Sequence, residues 1–249
     1  MKIRRIQLLR SEIAAMPAQE RNFLLLAGHM QNEINSINKI FAWCINSKQL
    51  PIDSEVESLA NGAQAMIYAR ILAGKLLEAR NTLEVDWFKT KLSQKLEPKL
   101  HPVALEAINK IKTYFNKKNA IYRIRNNYAF HYSASKVGEK WKSVADDATF
   151  EIILSGTFGS NLHLGAELAV NSAIFEDIDA TNREEGARIF LDEVQSIAHN
   201  FNDFLDGAIM TIIEDLFNSK IGLLGHEVDI FPTRTYNQIK IPHFCLPDL

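Results

Sequence analysis

The sequence has only two cysteines and no long apolar run, and both absences narrow the class of protein. Cys44 and Cys245 lie far apart and form no Cys-x-x-Cys pair, so we expect neither a disulfide scaffold nor a structural zinc site. No run of about 18 apolar residues occurs that could span a membrane. The first residues also lack the apolar segment of a secretory signal. We therefore expect a cytoplasmic protein with reduced thiols and no membrane partner.

Several sequence signatures of catalysis are also missing. There is no glycine-rich phosphate loop, no Walker signature and no Gly-x-Ser-x-Gly elbow. A Glu-x-x-His pair, which a metal-dependent four-helix enzyme would need, does not occur either. His29 and Glu33 are spaced as two metal ligands on one helix face, but such a pair without partners is more often a surface contact. We expect no metal and no cofactor.

The net charge of -2 conceals two segregated runs of charge. Ten basic residues and only two acidic ones fall between Lys89 and Arg125, whereas eleven acidic and two basic residues fall between Glu176 and Asp215. Two interpretations are open. The runs could be solvated helix faces that attract each other across the fold. Alternatively, the basic run could be a cationic surface directed at phosphates.

Apolar residues recur at helical spacing along most of the chain, and with 47% hydrophobic residues it can bury a full core. Two long helices joined by a short loop are predicted first, and they should pack antiparallel. Ser54 is a plausible N-cap of the second. The predicted helices cover approximately residues 18–44, 55–83, 87–96, 103–115 and 184–217. Residues 117–119 are either a turn or part of a helix that continues through to Tyr132.

Residues 149–175 differ, because two strand-like segments are separated there by glycine-containing turn signals. We predict a mainly α fold: an antiparallel helical bundle with a small β-hairpin or irregular insertion near 149–175. The chain is interpreted as one domain, residues 1–249. Its core bundle covers about 18–135, a C-terminal helix covers about 184–218, and an extended tail covers 227–249.

The segment from Arg125 to His131 carries the most specific chemistry. Arginine holds a phosphate in a planar fork, and histidine can take or give a proton near neutral pH. A chain of this composition should contain roughly one Arg-x4–6-His match by accident. Requiring Asn or Asp directly after the arginine, which Asn126 satisfies, lowers that expectation to about 0.1. The segment also ends a predicted helix and follows the basic run.

Arg125-Asn126-x4-His131, near the end of a late helix in a helical bundle, resembles the R-x4–6-H signature of the HEPN superfamily. The resemblance covers about residues 18–135. It implies a metal-independent endoribonuclease with a composite site across a homodimer, in which Arg125 and His131 are catalytic and Asn126 is the polar residue after the arginine. Members of this superfamily occur in toxin–antitoxin and abortive-infection systems, so the resemblance also implies a possible antitoxin or regulatory partner.

The spacing of the motif carries a geometric condition. In a straight helix, Arg125 and His131 would lie about 120° apart around the axis and about 9 Å apart along it, too far to meet at one phosphate. The helix should therefore break near Phe130, or a second subunit should complete the site. Asn127 lies one turn before His131 and could orient its imidazole.

RNA contacts are expected from cationic and aromatic side chains near the motif. Tyr128 and Tyr132 could stack bases, or they could be core aromatics. The remaining candidate RNA-binding residues are Asn127, Lys117, Lys118 and Arg123. The competing hypothesis is a non-catalytic helical interaction or regulatory protein in which Arg125 and His131 are structural polar groups.

Overall fold

The computed structural model describes residues 1–46, 54–129, 135, 138–139, 141, 144–157, 159–231, 234–235, 238–239 and 241–245. The protein is mainly α with two small antiparallel sheets, which confirms the predicted fold class. The helices are α1 Arg10–Ala15, α2 Ala18–Asn46, α3 Glu55–Asp86, α4 Lys91–Leu96, α5 Pro102–Phe115, α6 Ala120–Ile124, α7 Leu164–Ile178 and α8 Arg183–Phe217. The strands are β1 Lys2–Arg5, β2 Ile152–Ile153, β3 Leu162–His163 and β4 His226–Asp229.

Shorter helical turns occur at Glu97–Lys99 and Ile221–Leu223, and a π-helical turn occurs at Arg125–Ala129. Ser54 caps α3 as predicted, because its hydroxyl accepts a hydrogen bond of 3.1 Å from the Glu57 amide. None of the described helices is long and apolar enough to cross a membrane.

The chain forms two compact units. The first unit consists of Met1–Asn35, Glu78–Lys117 and Ile197–Arg234, and the second of Ser36–Leu77, Lys118–Ser196 and Thr235–Leu249. The boundary falls within α2, α3 and α8, so each of these helices contributes a segment to both units. The interpretation as one domain stays a prediction.

The core of the first unit is built around Trp87, which is fully buried. The centroid of its ring lies 4.9 Å from that of Phe23 and 5.0 Å from that of Phe204. The indole N–H donates to Glu97 Oε1 at 3.1 Å, so the one polar group of this side chain is satisfied. Helix α5 comes close to α8, because a Cβ at Gly207 would overlap the Cβ of Ala104.

The first unit also holds the sheet of β1 and β4, which pair antiparallel with Lys2 opposite Asp229 and Arg5 opposite His226. The expected extended tail therefore begins within a strand. Gly225 precedes β4 with φ +69, a left-handed conformation that glycine adopts without strain. A Cβ at Gly225 would overlap the Arg5 carbonyl oxygen, so the turn into the sheet needs glycine for a second reason.

The second unit contains the predicted hairpin, in which Ile152 pairs with His163 and Ile153 with Leu162. The insertion is shorter than expected, since from Leu164 onward the chain is helix α7 rather than strand or irregular structure. A glycine in the first turn, Gly165, made this helix hard to foresee, and it lies so close to Phe150 that a Cβ would overlap the ring. Leu162 packs in an apolar cluster with Ala60 and Ala63 of α3.

Candidate functional site

Helix α6 begins at a turn that separates it from α5. The Asn119 side chain caps the helix, accepting a hydrogen bond of 2.8 Å from the Tyr122 amide. The Ala120 amide donates to Glu193 Oε2 at 2.9 Å, so a carboxylate of α8 also holds this end. Of the two alternatives for residues 117–119, the turn is therefore the correct one. Lys117 and Lys118 are exposed at this turn.

The candidate motif begins where α6 changes into a π-helical turn. Arg125–Ala129 follow Ile124 directly, and π-helical backbone hydrogen bonds join residues five apart rather than four. The rotation between successive side chains is therefore smaller than in an α-helix from Arg125 to Ala129. Phe130, His131 and Tyr132, which carry the expected helix break, the candidate general base and a candidate stacking ring, lie outside the described residues.

Arg125 and Asn126 contact each other within this turn. Arg125 Nη1 donates to Asn126 Oδ1 at 3.1 Å, and both side chains are half-buried. The amide that follows the arginine therefore holds part of its guanidinium in place. Asn127, the next residue, is also half-buried.

Tyr128 lies in the core rather than on the surface. Its side chain is 7% exposed and its hydroxyl donates to Asp177 Oδ2 at 2.5 Å. Burial raises the pKa of this phenol well above its ordinary value, and the hydrogen bond to Asp177 and the negative charges of Asp177, Glu176 and Glu139 raise it further. Of the two alternatives for Tyr128, this geometry matches the core aromatic.

Arg123 also contacts Asp177, because its Nη1 donates to the main-chain oxygen of that residue. Asp177 lies in the last turn of α7, where the carbonyl end of the helix dipole favours a cation. Arg123 and Tyr128 together fix the α6 segment and its π-helical turn to the end of α7. Sequence reasoning missed Asp177, and the only signal for it was that it belongs to the acidic run.

Most of the basic run in the first unit is already paired. Lys95 contacts Glu20 at 2.6 Å and Asp215 at 3.6 Å, and Lys99 contacts Asp215 at 2.7 Å. The hydrogen bond to Glu20 is the main cause that raises the pKa of Lys95. Asp215 belongs to the acidic run. For Lys95 and Lys99, the structure therefore matches the interpretation in which the two charged runs attract each other.

The other candidate pair is an ordinary surface contact. His29 Nε2 lies 3.8 Å from Glu33 Oε2, and the histidine side chain is 68% exposed. Among the residues that the structure describes, no group of three or more histidines, cysteines or carboxylates is arranged to hold a metal ion.

The fold and site define a mainly α protein in which the arginine-containing segment changes from α-helix to a π-helical turn at Arg125. No protein-family model matches the sequence, and no curated protein or solved structure is significantly similar to it. The resemblance to the HEPN superfamily therefore rests on the motif residues and the helical plan alone.

Proposed function

We propose that this protein is a HEPN-type endoribonuclease, a cytoplasmic homodimer that cleaves RNA without a metal or cofactor. The observation that carries the proposal is the π-helical turn at Arg125–Ala129. Such turns often occur at functional sites. This one begins at the candidate phosphate-binding residue, whose guanidinium is oriented by the amide of Asn126.

The reaction proposed is intramolecular transesterification. His131, or its counterpart in the second subunit, removes the proton of a ribose 2′-hydroxyl, and the resulting oxygen attacks the adjacent phosphorus. Arg125 stabilises the charge on the pentavalent intermediate. The P–O5′ bond then breaks, the 5′-oxygen takes a proton from an imidazolium, and a 2′,3′-cyclic phosphate remains. DNA lacks the 2′-hydroxyl and is not cleaved.

RNA contacts in this proposal come from Lys117, Lys118, Arg123 and Asn127, together with Tyr132. The two lysines are exposed, whereas Arg123 would have to share its guanidinium with the Asp177 carbonyl. By its resemblance, the protein would act as a toxin or phage-defence effector, held in check by an antitoxin or another regulatory protein.

The second candidate function is a non-catalytic helical interaction or regulatory protein. The observation that favours it is the internal use of polar groups near the motif. Tyr128 is buried against Asp177, Arg123 bonds to α7, and Lys95 and Lys99 neutralise carboxylates of their own unit. In that case Arg125 and His131 stabilise the fold and do not touch a substrate.

An RNA cleavage assay with purified protein in the presence of EDTA distinguishes the nuclease from the interaction protein. We expect wild type to cleave RNA and to leave 2′,3′-cyclic phosphate ends, and we expect His131→Ala to be slower by about 10²–10⁴-fold because a proton-transferring group is lost. Arg125→Ala should be impaired to a similar degree. Expression of the wild type, but of neither variant, should slow growth.

Two surface variants serve as controls, because His199 and Arg188 are exposed on α8. His199→Ala and Arg188→Ala should cleave RNA as wild type does. Intact RNA and equal growth with wild type and His131→Ala would contradict the nuclease and favour the interaction protein. Cleavage that EDTA abolishes would contradict the metal-independent mechanism.

A further inference from the structure

A cavity of about 310 Å³ opens in the first unit beside the end of α3 and the second half of α5. Its volume lies at the lower end of the range for small-molecule sites, roughly 300–1,000 Å³. No residue proposed for catalysis or RNA contact lines it. The cavity is therefore a candidate for a separate binding function, one that does not depend on the proposed nuclease.

The floor of the cavity is apolar. It is formed by Phe88, Ile111 and Phe115. Ile111 is fully buried beneath the two phenylalanines, and the Phe115 ring is held edge-on by Phe201 at a centroid distance of 6.5 Å. A ligand with a small apolar body would cover the exposed parts of Phe88 and Phe115 and release water from them.

Four charged side chains surround the floor, and three of them are already neutralised. Arg80 and Glu84 form an ion pair of 3.0 Å one helical turn apart on α3. Lys112 lies 3.3 Å from Glu97 and covers the Phe88 ring at 5.1 Å from its centroid. The fourth is Lys89, which forms no hydrogen bond or ion pair within the part of the chain that the structure describes.

Lys89 adopts a strained backbone conformation in the turn between α3 and α4. Its φ is +61, a left-handed conformation in which glycine or asparagine would be easier to accommodate. The turn is fixed by Thr90, whose amide and hydroxyl both donate to the Trp87 carbonyl, at 3.2 and 2.8 Å. A strained residue that is firmly positioned at a cavity is a reason to look for a ligand.

We infer that this cavity binds a small monocarboxylic acid with an apolar body. The body covers Phe88 and Phe115, and the carboxylate accepts a hydrogen bond from the Lys89 ammonium. Asn116, at the end of α5, lies on the same rim and offers an amide N–H as a second donor. One unpaired cation suits a single negative charge, whereas a phosphate dianion would meet Glu84 with only one cation to offset it.

The inference is tested by calorimetric titration of the full chain with phenylacetate and with hexanoate, which share this chemistry but differ in the shape of the apolar body. We expect wild type to bind at least one of them, and to bind phenylacetamide and acetate far more weakly. Lys89→Met should weaken binding about ten-fold, the loss expected for one charge-assisted hydrogen bond. Lys91→Met, an exposed lysine two residues further on, should bind as wild type does.

A second variant separates the ammonium from the backbone strain. Lys89→Gly removes the charge and relieves the left-handed conformation, so it should raise the thermal midpoint while weakening binding as Lys89→Met does. If phenylacetate binds more strongly than hexanoate, the ligand is an aromatic acid. If hexanoate binds more strongly, the ligand is an aliphatic acid. Failure of wild type to bind either acid at millimolar concentration, equal binding of phenylacetamide, or undiminished binding by Lys89→Gly would overturn the inference.

Discussion

Asp177 connects two residues of the candidate site to α7, through its side chain and its main chain. Tyr128 donates to the carboxylate and Arg123 to the carbonyl oxygen. The phenol is buried, so its hydrogen bond to a charged acceptor is shielded from competing water. The π-helical turn is thus anchored at Tyr128, three residues after the arginine that it carries.

Removing the Tyr128 hydroxyl should therefore lower stability. We expect Tyr128→Phe to reduce the free energy of unfolding by about 1–3 kcal/mol, the effect of losing a buried hydrogen bond to a charged group. Urea denaturation measures this change. Tyr122→Phe is the matched control, since Tyr122 is 57% exposed on the adjoining helix α6 and its substitution should have almost no effect.

The contribution of the Tyr128 hydroxyl to the free energy of unfolding should also fall at high pH. The folded protein raises the pKa of Tyr128 above its ordinary value of about 10. The folded state therefore holds this proton more tightly than the unfolded state does. The stabilisation is complete below about pH 10 and declines as the pH rises through the raised pKa. The stability difference between wild type and Tyr128→Phe should narrow above about pH 10; a constant difference would contradict the raised pKa.

At the residue scale, the sequence was informative where the signal was local. Arg125 and Asn126 were recognisable because they are adjacent, and their contact in the structure follows from that adjacency. Asp177 was not recognisable, because it is far along the chain from Tyr128 and nothing in the spacing of either residue pairs them. The burial of Tyr128 depends on that distant partner and remained one of two alternatives.

At the scale of the elements, a nearly buried ion pair joins helices α3 and α7. Arg70 of α3 donates to both carboxylate oxygens of Glu167, at 2.9 and 3.1 Å, and to Asn171 Oδ1 at 2.7 Å. The Arg70 side chain is 10% exposed. Its fork geometry satisfies both α7 residues at once, so the pairing fixes which face of α7 lies against α3.

Breaking this pair on one side should be costly. We expect Arg70→Ala to lower the free energy of unfolding by about 3–5 kcal/mol, because the Glu167 carboxylate would be left with little solvent and no cation. Denaturant titration gives the value. The double variant Arg70→Leu with Glu167→Leu should recover most of the loss, since no unpaired charge remains.

Arg188 provides the matched control on a helix surface. It pairs with Glu185 and Asp192 on its own helix, but its side chain is 61% exposed. Arg188→Ala should therefore leave stability almost unchanged. A similar loss in Arg70→Ala and Arg188→Ala would show that burial does not distinguish the two ion pairs.

Among the elements, long helices with a continuous apolar face were predictable from the sequence, whereas helix α7 was not. The spacing of Phe23, Met30, Ile34 and Phe41 places them on one buried side of α2, and the predicted start at Ala18 is the observed one. Helix α7 was missed because its first turn contains glycine and follows an alternating Leu-His-Leu segment that is typical of a strand. Its contacts with Phe150 and Arg70 stabilise the helix, although its own sequence gives no clear helical signal.

The sheet of β1 and β4 pairs strands that are far apart in the sequence, since it joins the first residues to those near 229. No local pattern in either strand indicated the other. Sequence reasoning predicted an extended segment after 227 but gave no partner for it. Pairing at this separation depends on the fold that lies between, which is why the sheet was not foreseen.

A substitution at Gly225 should disrupt this sheet selectively. We expect Gly225→Ala to destabilise the protein by about 1–3 kcal/mol, because alanine is strained at a φ of +69 and its Cβ would overlap the Arg5 carbonyl. The amide of Ile230, which donates to the Met1 carbonyl at 2.9 Å, should exchange faster with deuterium.

Gly222→Ala is the matched control for this prediction, because a Cβ there would meet nothing within 4 Å and its φ is not in the left-handed range. It should exchange as wild type does. Unchanged protection of Ile230 in Gly225→Ala would contradict the requirement for glycine at that position.

The register of β1 and β4 also determines how the protein responds to a pulling force. Lys2 faces Asp229 at the end of the ladder next to Met1 and Ile230, and Arg5 faces His226 at the other end, where Gly225 precedes β4. A force that separates Met1 from Ile230 acts across the ladder, on the hydrogen bonds between this pair first. The strands would then peel apart one residue pair at a time, at low force, before any load reached the buried ring of Trp87.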